Sequence, residues 1–351
     1  MKQHLNKDIL QSKKRTFLEL PKDFFERLAS EELNAVARAL SLLESDSTKY
    51  EKDRGQLLEW IYGQQIQKAR RIGITGSPGV GKSSFIEAFG QMICEEGFKV
   101  AVLSIDPSSA VSGGSILGDQ TRMTELSKRK NAYIRPSPSS NILGGVAGAT
   151  RESIALFEAL SYDYILIETV GVGQSETAVA QMTDLFLLLL LPGAGDSLQG
   201  IKRGVVEMAD IIAVNKADGD RKQLALETKR AYRQAVQLFP PKRSGWETSL
   251  HTISSQERTG ISTLLTEIGA YFNFVSDNGY LSKNRSHQAM DWFDSSLNRS
   301  FLEWFSQYPG LNSLVAQQKT AVSESKKAPY LAAKEVIQWL DGQIKKSTKS
   351  D

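Results

Sequence analysis

The chain has 351 residues, of which 40% are hydrophobic, and this is enough for one large core with appendages. Its formal net charge is only +3, from 43 basic and 40 acidic residues. This balance gives no large basic field, so nucleic acid is not an expected partner.

Signals for targeting, membrane insertion and disulfide formation are lacking in the sequence. Lysine and arginine interrupt residues 1–20, which leaves no apolar segment typical of an export signal. The longest apolar run, residues 185–191, is too short to cross a bilayer, so no membrane partner is expected. The single cysteine, Cys94, excludes an internal disulfide and favours a reducing compartment. These features predict a cytoplasmic protein.

Residues 1–67 are predicted to form a helical N-terminal extension. Leu33, Val36 and Leu40 recur at helical spacing, and a second apolar face around Leu57 and Ile61 follows a polar break. Such faces predict that the extension packs against another part of the protein.

Residues 68–272 alternate between strand and helix patterns. The predicted strands are residues 71–75, 100–105, 132–135, 164–168, 185–191, 211–215 and 250–254. The predicted helices are residues 82–96, 150–160 with Thr150 as N-cap, 197–208, 222–238 and 261–272. Buried strands alternating with helices predict a doubly wound, mainly parallel α/β domain, which binds its ligand at the carboxyl ends of the strands.

Residues 273–345 are predicted to form a helical C-terminal arm, followed by a polar tail at residues 346–351. Large apolar side chains crowd this arm at Met290, Trp292, Phe293, Leu297, Phe301, Leu302, Trp304 and Phe305. An extension this apolar must bury its face on the domain or on another subunit.

Residues 76–83 match the phosphate-loop pattern G-x-x-x-x-G-K-[ST] and lie between a predicted strand and a predicted helix. Lys82 is expected to reach the β- and γ-phosphates, and the Ser83 hydroxyl is expected to ligate Mg²⁺. The strand–turn–helix context disfavours the alternative of a plain glycine-rich turn. The residues predicted to bind the nucleotide phosphates are Gly76, Ser77, Pro78, Gly79, Val80, Gly81, Lys82, Ser83 and Ser84.

Two further loops follow predicted strands at the same edge. Asp106 ends one strand and suits Mg²⁺ or a bound water, although an Asp-Pro pair is also a common turn. Glu168 ends an apolar run in the manner of a Walker B strand, and it would reach the metal through a water. Gly171 offers a backbone N–H to the γ-phosphate, which predicts a switch loop.

An N-K-x-D motif formed by Asn215, Lys216 and Asp218 follows another buried strand. The Asp218 carboxylate can accept hydrogen bonds from the ring N–H and the exocyclic amine of guanine, whereas adenine offers no such pair of donors. Asn215 is expected to brace the loop, and the Lys216 stem to cover the base. Ser254 and Ser255 form a weaker element, where a backbone N–H would meet the guanine carbonyl oxygen. The motif predicts GTP and GDP as ligands.

The sequence resembles the MeaB-like GTPases, also named ArgK-like, over nearly its whole length. The segments that carry this resemblance most specifically are residues 106–109, 113–119, 168–176 and 192–202. Proteins of this family have a mitochondrial counterpart in animals and are related to metal-delivery GTPases. They act as chaperones of adenosylcobalamin-dependent methylmalonyl-CoA mutase.

The resemblance implies roles for further residues and segments. Asp106, Asp119 and Glu168 would line the metal and the attacking water, which makes them candidates for both catalysis and metal binding. Residues 191–202 would form an additional switch that relays the nucleotide state to the mutase, and the C-terminal arm would form a homodimer. The chain departs from the family pattern at Ser254-Ser255, where Ser-Ala is usual, and at Thr259-Gly260, where Gly-x-Gly is expected.

The predicted function is therefore that of a GTP-hydrolysing chaperone that gates cofactor loading of the mutase and protects or reactivates it. The alternative is an ATP-using regulator or kinase of basic amino-acid transport, which Asp218 disfavours. Nickel delivery fits poorly, because three histidines and one cysteine form no metal store. A partitioning ATPase would carry a second lysine where Ser77 and Pro78 stand.

Overall fold

A computed structural model describes residues 20–45, 47–64, 69–105, 123–135, 143–169, 175–194 and 203–347. Three of the predicted site residues, Asp106, Asp119 and Gly171, lie outside these ranges, as does most of the predicted switch at residues 191–202. The chain divides into two compact units, Met1–Arg285 and Ser286–Asp351.

The first unit is built on one sheet. Within the described residues, seven parallel strands lie in the order β3-β2-β4-β1-β5-β6-β7. Their bounds are β1 Arg70–Gly76, β2 Val100–Ile105, β3 Ala132–Arg135, β4 Tyr164–Thr169, β5 Leu185–Leu190, β6 Ile211–Val214 and β7 Ser249–Thr252. The predicted doubly wound, parallel α/β fold is confirmed. Strands β2 and β3 have the predicted bounds, and the others differ only at their ends.

The central strands form as predicted because both of their faces are covered. Every residue of β2, β4, β5 and β6 is buried. In β4, Ile165 and Ile167 belong to one hydrophobic cluster, whereas Tyr164 and Leu166 belong to the cluster on the opposite face. Such strands appear in sequence as unbroken apolar runs, and this made them recognisable.

Helices cover both faces of the sheet. In the first unit they span Phe24–Ala29, Leu33–Leu43, Glu51–Gly63, Lys82–Glu95, Leu143–Ala159, Ser175–Ala180, Arg203–Met208, Lys222–Val236 and Ile261–Asp277. The helix Tyr280–Gln307 begins in this unit and continues into the second. The part of the predicted helix 197–208 before Arg203 lies outside the described residues.

The predicted start of the helix at Thr150 is wrong. The helix begins at Leu143, and Ser153 donates a hydrogen bond to the Ala149 carbonyl at 2.8 Å, as in a helix interior. The glycines at positions 144, 145 and 148 disfavour a helix in sequence. Burial of Ala149 and Thr150 overrides this low propensity.

The N-terminal helices pack on the first unit through an apolar face. Val36, Leu40 and Ile61 share a hydrophobic cluster with Ile154 and Phe157 of the helix Leu143–Ala159. The extension is thus laid against the sheet domain because its helical stripes match an apolar surface there.

The second unit contains the remainder of Tyr280–Gln307 and the helices Leu311–Ser323 and Pro329–Ser347. Leu311, Ala332 and Val336 are buried, so the last two helices share a small core. Phe293 and Leu297 are 66% and 56% exposed, which leaves an apolar surface on the first of these helices. Across the described residues, no helix has the length and apolar character needed to span a bilayer.

Two buried carboxylates and two partly buried arginines meet at the amino edge of the sheet. Arg285 donates to Asp184 at 2.8 Å, to Glu158 at 3.2 Å and to the Ala69 carbonyl at 2.5 Å. Arg71 donates to Glu158 at 2.9 and 2.6 Å. The Asp184 and Glu158 side chains are 0% and 2% exposed, so each carboxylate depends on these partners for compensation.

Replacing Arg285 by Met should destabilise the protein by about 3–5 kcal/mol, because the buried carboxylates of Asp184 and Glu158 lose the guanidinium that donates hydrogen bonds to them. Urea unfolding followed by circular dichroism measures the change. Arg230→Met, at an exposed position on the helix Lys222–Val236, serves as the control and should change stability little. Equal stability of the two variants would contradict the stabilising role assigned to Arg285.

Candidate nucleotide-binding site

The candidate site lies where the strand order reverses. From β1 the chain passes to β2 and β3 on one side, returns to β4 beside β1, and then crosses to β5 on the other side. Ligands of parallel α/β sheets bind at the carboxyl ends of the strands at such a point. The loops that begin here contain the described members of the predicted site: residues 76–84 after β1, Glu168 on β4, Asn215, Lys216 and Asp218 after β6, and Ser254 and Ser255 after β7.

The phosphate loop follows β1 and turns into the helix Lys82–Glu95. Gly79 and Gly81 have φ of +79° and +92°, a region that favours glycine. A Cβ on Gly81 would lie 2.9 Å from Asn215 Nδ2, and a Cβ on Gly76 would lie 2.6 Å from the Leu189 carbonyl oxygen. Backbone conformation therefore favours glycine at position 79, and close packing as well as conformation requires it at positions 76 and 81.

The Lys82 side chain turns back toward the first residue of the phosphate loop. Its Nζ donates to the Gly76 carbonyl at 2.8 Å, and the residue is 9% exposed. Burial lowers the pKa of Lys82, and the nearby carboxylates of Glu168 and Glu176 act in the opposite direction. An ammonium has three donors, so Lys82 can hold this carbonyl and still donate to phosphate oxygens.

Ser83 and Glu168 bring two oxygen donors together beside the phosphate loop. The Ser83 hydroxyl lies 3.4 Å from Glu168 Oε1, and Glu168 is 4% exposed at the end of β4. A hydroxyl next to a buried carboxylate suits Mg²⁺, which prefers oxygen ligands. In the part of the chain that the structure describes, no three His, Cys, Asp or Glu side chains cluster as a metal site.

Asn215 and Lys216 join the loop after β6 to the phosphate loop. Asn215 Nδ2 donates to the Val80 carbonyl at 2.9 Å, and its Oδ1 accepts from Ser255 N and Oγ at 3.1 and 2.8 Å. Lys216 Nζ donates to the Gly79 carbonyl at 2.7 Å. The loop after β6 and the phosphate loop are thus held in one fixed arrangement.

Asp218 presents its carboxylate between a hydroxyl and a guanidinium. Ser254 Oγ donates to Oδ2 at 2.6 Å, and Arg221 Nη2 donates to Oδ1 at 2.8 Å. The hydrogen bond from Ser254 and then the interaction with Arg221 lower the pKa of Asp218. The side chain is therefore an anionic acceptor at neutral pH.

The backbone N–H groups of Ser254 and Ser255 are engaged within the protein. Ser254 N donates to the Thr259 carbonyl at 3.0 Å, and Ser255 N donates to Asn215 Oδ1 at 3.1 Å. Their contact with a guanine carbonyl oxygen stays a prediction. The structure instead gives Ser254 a role through its hydroxyl on Asp218.

Sequence patterns alone did not identify three contributors to this site. Glu176 is 1% exposed and close enough to Lys82 to affect its pKa. Thr169 donates to the Thr75 hydroxyl at 3.0 Å and links β4 to β1 below the phosphate loop. Arg221 was detectable in principle, because it stands three positions after Asp218 at the start of a helix.

Residues 36–307 match the family described as methylmalonyl Co-A mutase-associated GTPase MeaB. A putative GTPase of Caulobacter vibrioides is 43% identical over 311 residues, which cover 89% of this chain and 95% of that protein. The mitochondrial methylmalonic aciduria type A homolog of Mus musculus is 41% identical over 307 residues, or 85% of this chain and 74% of that protein. A solved structure, that of a LAO/AO transport system kinase, has a TM-score of 0.72 and 31% identity over 92% of this chain and 99% of that chain.

The resemblance inferred from the motifs is thus confirmed across the P-loop domain and into the C-terminal arm. The family match and the phosphate loop at the switch point of a parallel sheet lead to the same assignment. The chain belongs to the MeaB family of P-loop GTPases.

Proposed function

We propose that this GTPase binds adenosylcobalamin-dependent methylmalonyl-CoA mutase and uses GTP hydrolysis to gate cofactor loading and to protect or reactivate the mutase. The family description, which names association with that mutase, carries the choice of partner. The Asp218 carboxylate, joined through its loop to the phosphate loop, supports guanine nucleotide as the ligand.

Guanine selection in this proposal depends on Asp218. Its oxygens would accept hydrogen bonds from the ring N–H and the exocyclic amine of guanine, and adenine would leave them without donors. Asn215 and Lys216 hold this loop on the carbonyls of Val80 and Gly79, so the base and the phosphates would be positioned together.

Hydrolysis would proceed by in-line attack of water on the γ-phosphate, giving GDP and phosphate. Lys82 would bind β- and γ-phosphate oxygens, while Ser83 and Glu168, with Asp106 and Asp119, would hold Mg²⁺ and orient the water. Mg²⁺, when bound, would neutralise negative charge on the phosphates. Positioning would supply most of the catalysis. Since no arginine finger can be named from the sequence, we expect slow basal turnover that a partner accelerates by ordering the switches.

The predicted switch at residues 191–202 is connected to the base-reading region through its described start. Gly193 N donates to Thr228 Oγ1 at 2.9 Å, and Thr228 lies on the helix Lys222–Val236 that follows Asp218 closely in the chain. This contact offers a route by which nucleotide state would reach the mutase.

We also infer a homodimer and a domain division. Exposed Phe293, Leu297 and Phe301 on Tyr280–Gln307 form an apolar face suited to a second copy of the arm. The division proposed is residues 1–67, 68–272, 273–345 and 346–351, and the single cysteine supports a cytoplasmic location.

The alternative, an ATP-dependent regulator or kinase of basic amino-acid transport, corresponds to the name of the solved relative described above. Asp218 disfavours it, because adenine lacks the donor pair that this carboxylate would bind. ATP therefore serves as the control nucleotide in the tests below.

Replacing Lys82 by Ala should weaken GTP binding by about 100-fold, since a charge-assisted contact to the phosphates is lost. Titration with a fluorescent GTP analogue measures this loss. Lys334→Ala, an exposed change on the C-terminal arm, should bind as the unaltered protein does. GTP affinity retained in the Lys82 variant would refute the phosphate-loop assignment.

Replacing Asp218 by Asn should lower GTP affinity by about 100-fold and raise affinity for XTP. The new amide N–H matches the carbonyl oxygen that xanthine carries in place of the exocyclic amine of guanine. Competition titrations with GTP, XTP and ATP test this change of base specificity. An unchanged preference for GTP would place base recognition elsewhere.

Purified methylmalonyl-CoA mutase from the same source should accelerate GTP hydrolysis but not ATP hydrolysis. Phosphate release in the presence of Mg²⁺, with and without the mutase, measures the effect, and co-elution on size exclusion reports the complex. If GTP is hydrolysed without stimulation and the proteins elute apart, the GTPase assignment stands and the mutase partner is wrong.

A further inference from the structure

The carboxylate assigned to guanine is already bound on both oxygens by side chains of the protein itself. Ser254 Oγ lies 2.6 Å from Asp218 Oδ2, and Arg221 Nη2 lies 2.8 Å from Asp218 Oδ1. The two partners differ in environment, because Ser254 is 0% exposed whereas the Arg221 side chain is 51% exposed.

The difference in solvent exposure determines which of the two partners a bound base could displace. The Ser254 hydroxyl also accepts a hydrogen bond from Glu257 N at 3.1 Å, so two contacts hold it in place. Asp218 Oδ2 keeps a lone pair for another donor. Arg221, with half of its side chain exposed, is therefore the partner that a base could displace, whereas Ser254 is fully buried. A guanidinium and the exocyclic amine of guanine are both N–H donors that seek the same kind of oxygen.

We infer that Arg221 is a specificity-determining residue, which competes with the exocyclic amine of guanine for Asp218 Oδ1. The inference rests on the proposed assignment of Asp218 to guanine recognition. In the absence of nucleotide, Arg221 compensates the charge of the carboxylate, and guanine binding displaces it. Hypoxanthine has the ring N–H but lacks the amine, so an inosine nucleotide needs only one carboxylate oxygen and leaves Arg221 in place.

The free energy of the Arg221–Asp218 ion pair limits how strongly Arg221 can compete with guanine. The pair is an ion pair between residues three positions apart, with one side chain half exposed, and such pairs are weak. Removing Arg221 should therefore tighten GDP binding by about two- to fivefold. Because salt screens an exposed ion pair, this gain should shrink at high ionic strength.

Arg221→Ala is the test, with Lys222→Ala as the matched control. Lys222 is exposed and contributes to the field at Asp218, and the described contacts of Asp218 include no hydrogen bond from it. Each variant and the unaltered protein are titrated with GDP, IDP and ADP in the presence of Mg²⁺ at low and high salt. GDP avoids any contribution from hydrolysis.

Arg221→Ala is expected to bind GDP about two- to fivefold more tightly at low salt while its IDP affinity stays the same, so its GDP-to-IDP preference rises. Lys222→Ala should leave that preference unchanged. Equal or weaker GDP binding by Arg221→Ala, or parallel gains for GDP and IDP, would overturn the inference. If the unaltered protein binds ADP as well as GDP, the assignment of Asp218 itself fails, and the inference fails with it.

Discussion

The side-chain amide of Asn215 is the contact on which the geometry of the candidate site depends. Its Nδ2 donates to the Val80 carbonyl of the phosphate loop, and its Oδ1 accepts two hydrogen bonds from Ser255. One amide therefore joins loops that follow β1, β6 and β7. Gly81 permits this approach, because any side chain there would collide with the amide nitrogen. The phosphate loop and the N-K-x-D loop are consequently parts of one hydrogen-bonded structure rather than separate motifs.

Charged side chains are paired differently at the two edges of the sheet. At the amino edge, Arg71 and Arg285 surround the buried carboxylates of Glu158 and Asp184 with several hydrogen bonds. Such a network is costly to open, since each charge would lose its compensation in a dry environment. The network at that edge therefore contributes to stability.

At the carboxyl edge, the charged groups keep hydrogen-bonding capacity that a ligand could use. Lys82 donates to a backbone carbonyl and keeps further donors for phosphate, and Asp218 faces a half-exposed arginine. Both Lys82 and Asp218 have hydrogen-bonding partners within the protein, so the free-energy cost of burying these charges stays small. In the proposed site, Arg221 would give way to the base, whereas Lys82 would keep its carbonyl partner and add contacts to phosphate.

The sequence by itself determined the fold class, most strand positions and the main recognition motifs. Strands such as β2 and β4 are buried on both faces, so their apolar runs are visible without any structure, and the phosphate loop is recognisable because its chemistry is local. Only the tertiary structure decided where the helix Leu143–Ala159 begins and that Ser254 contacts Asp218. The helix start depends on burial of Ala149 and Thr150, which outweighs the glycines before them. The contact between Ser254 and Asp218 depends on the pairing of β6 with β7, and distances across paired strands are not encoded in local spacing.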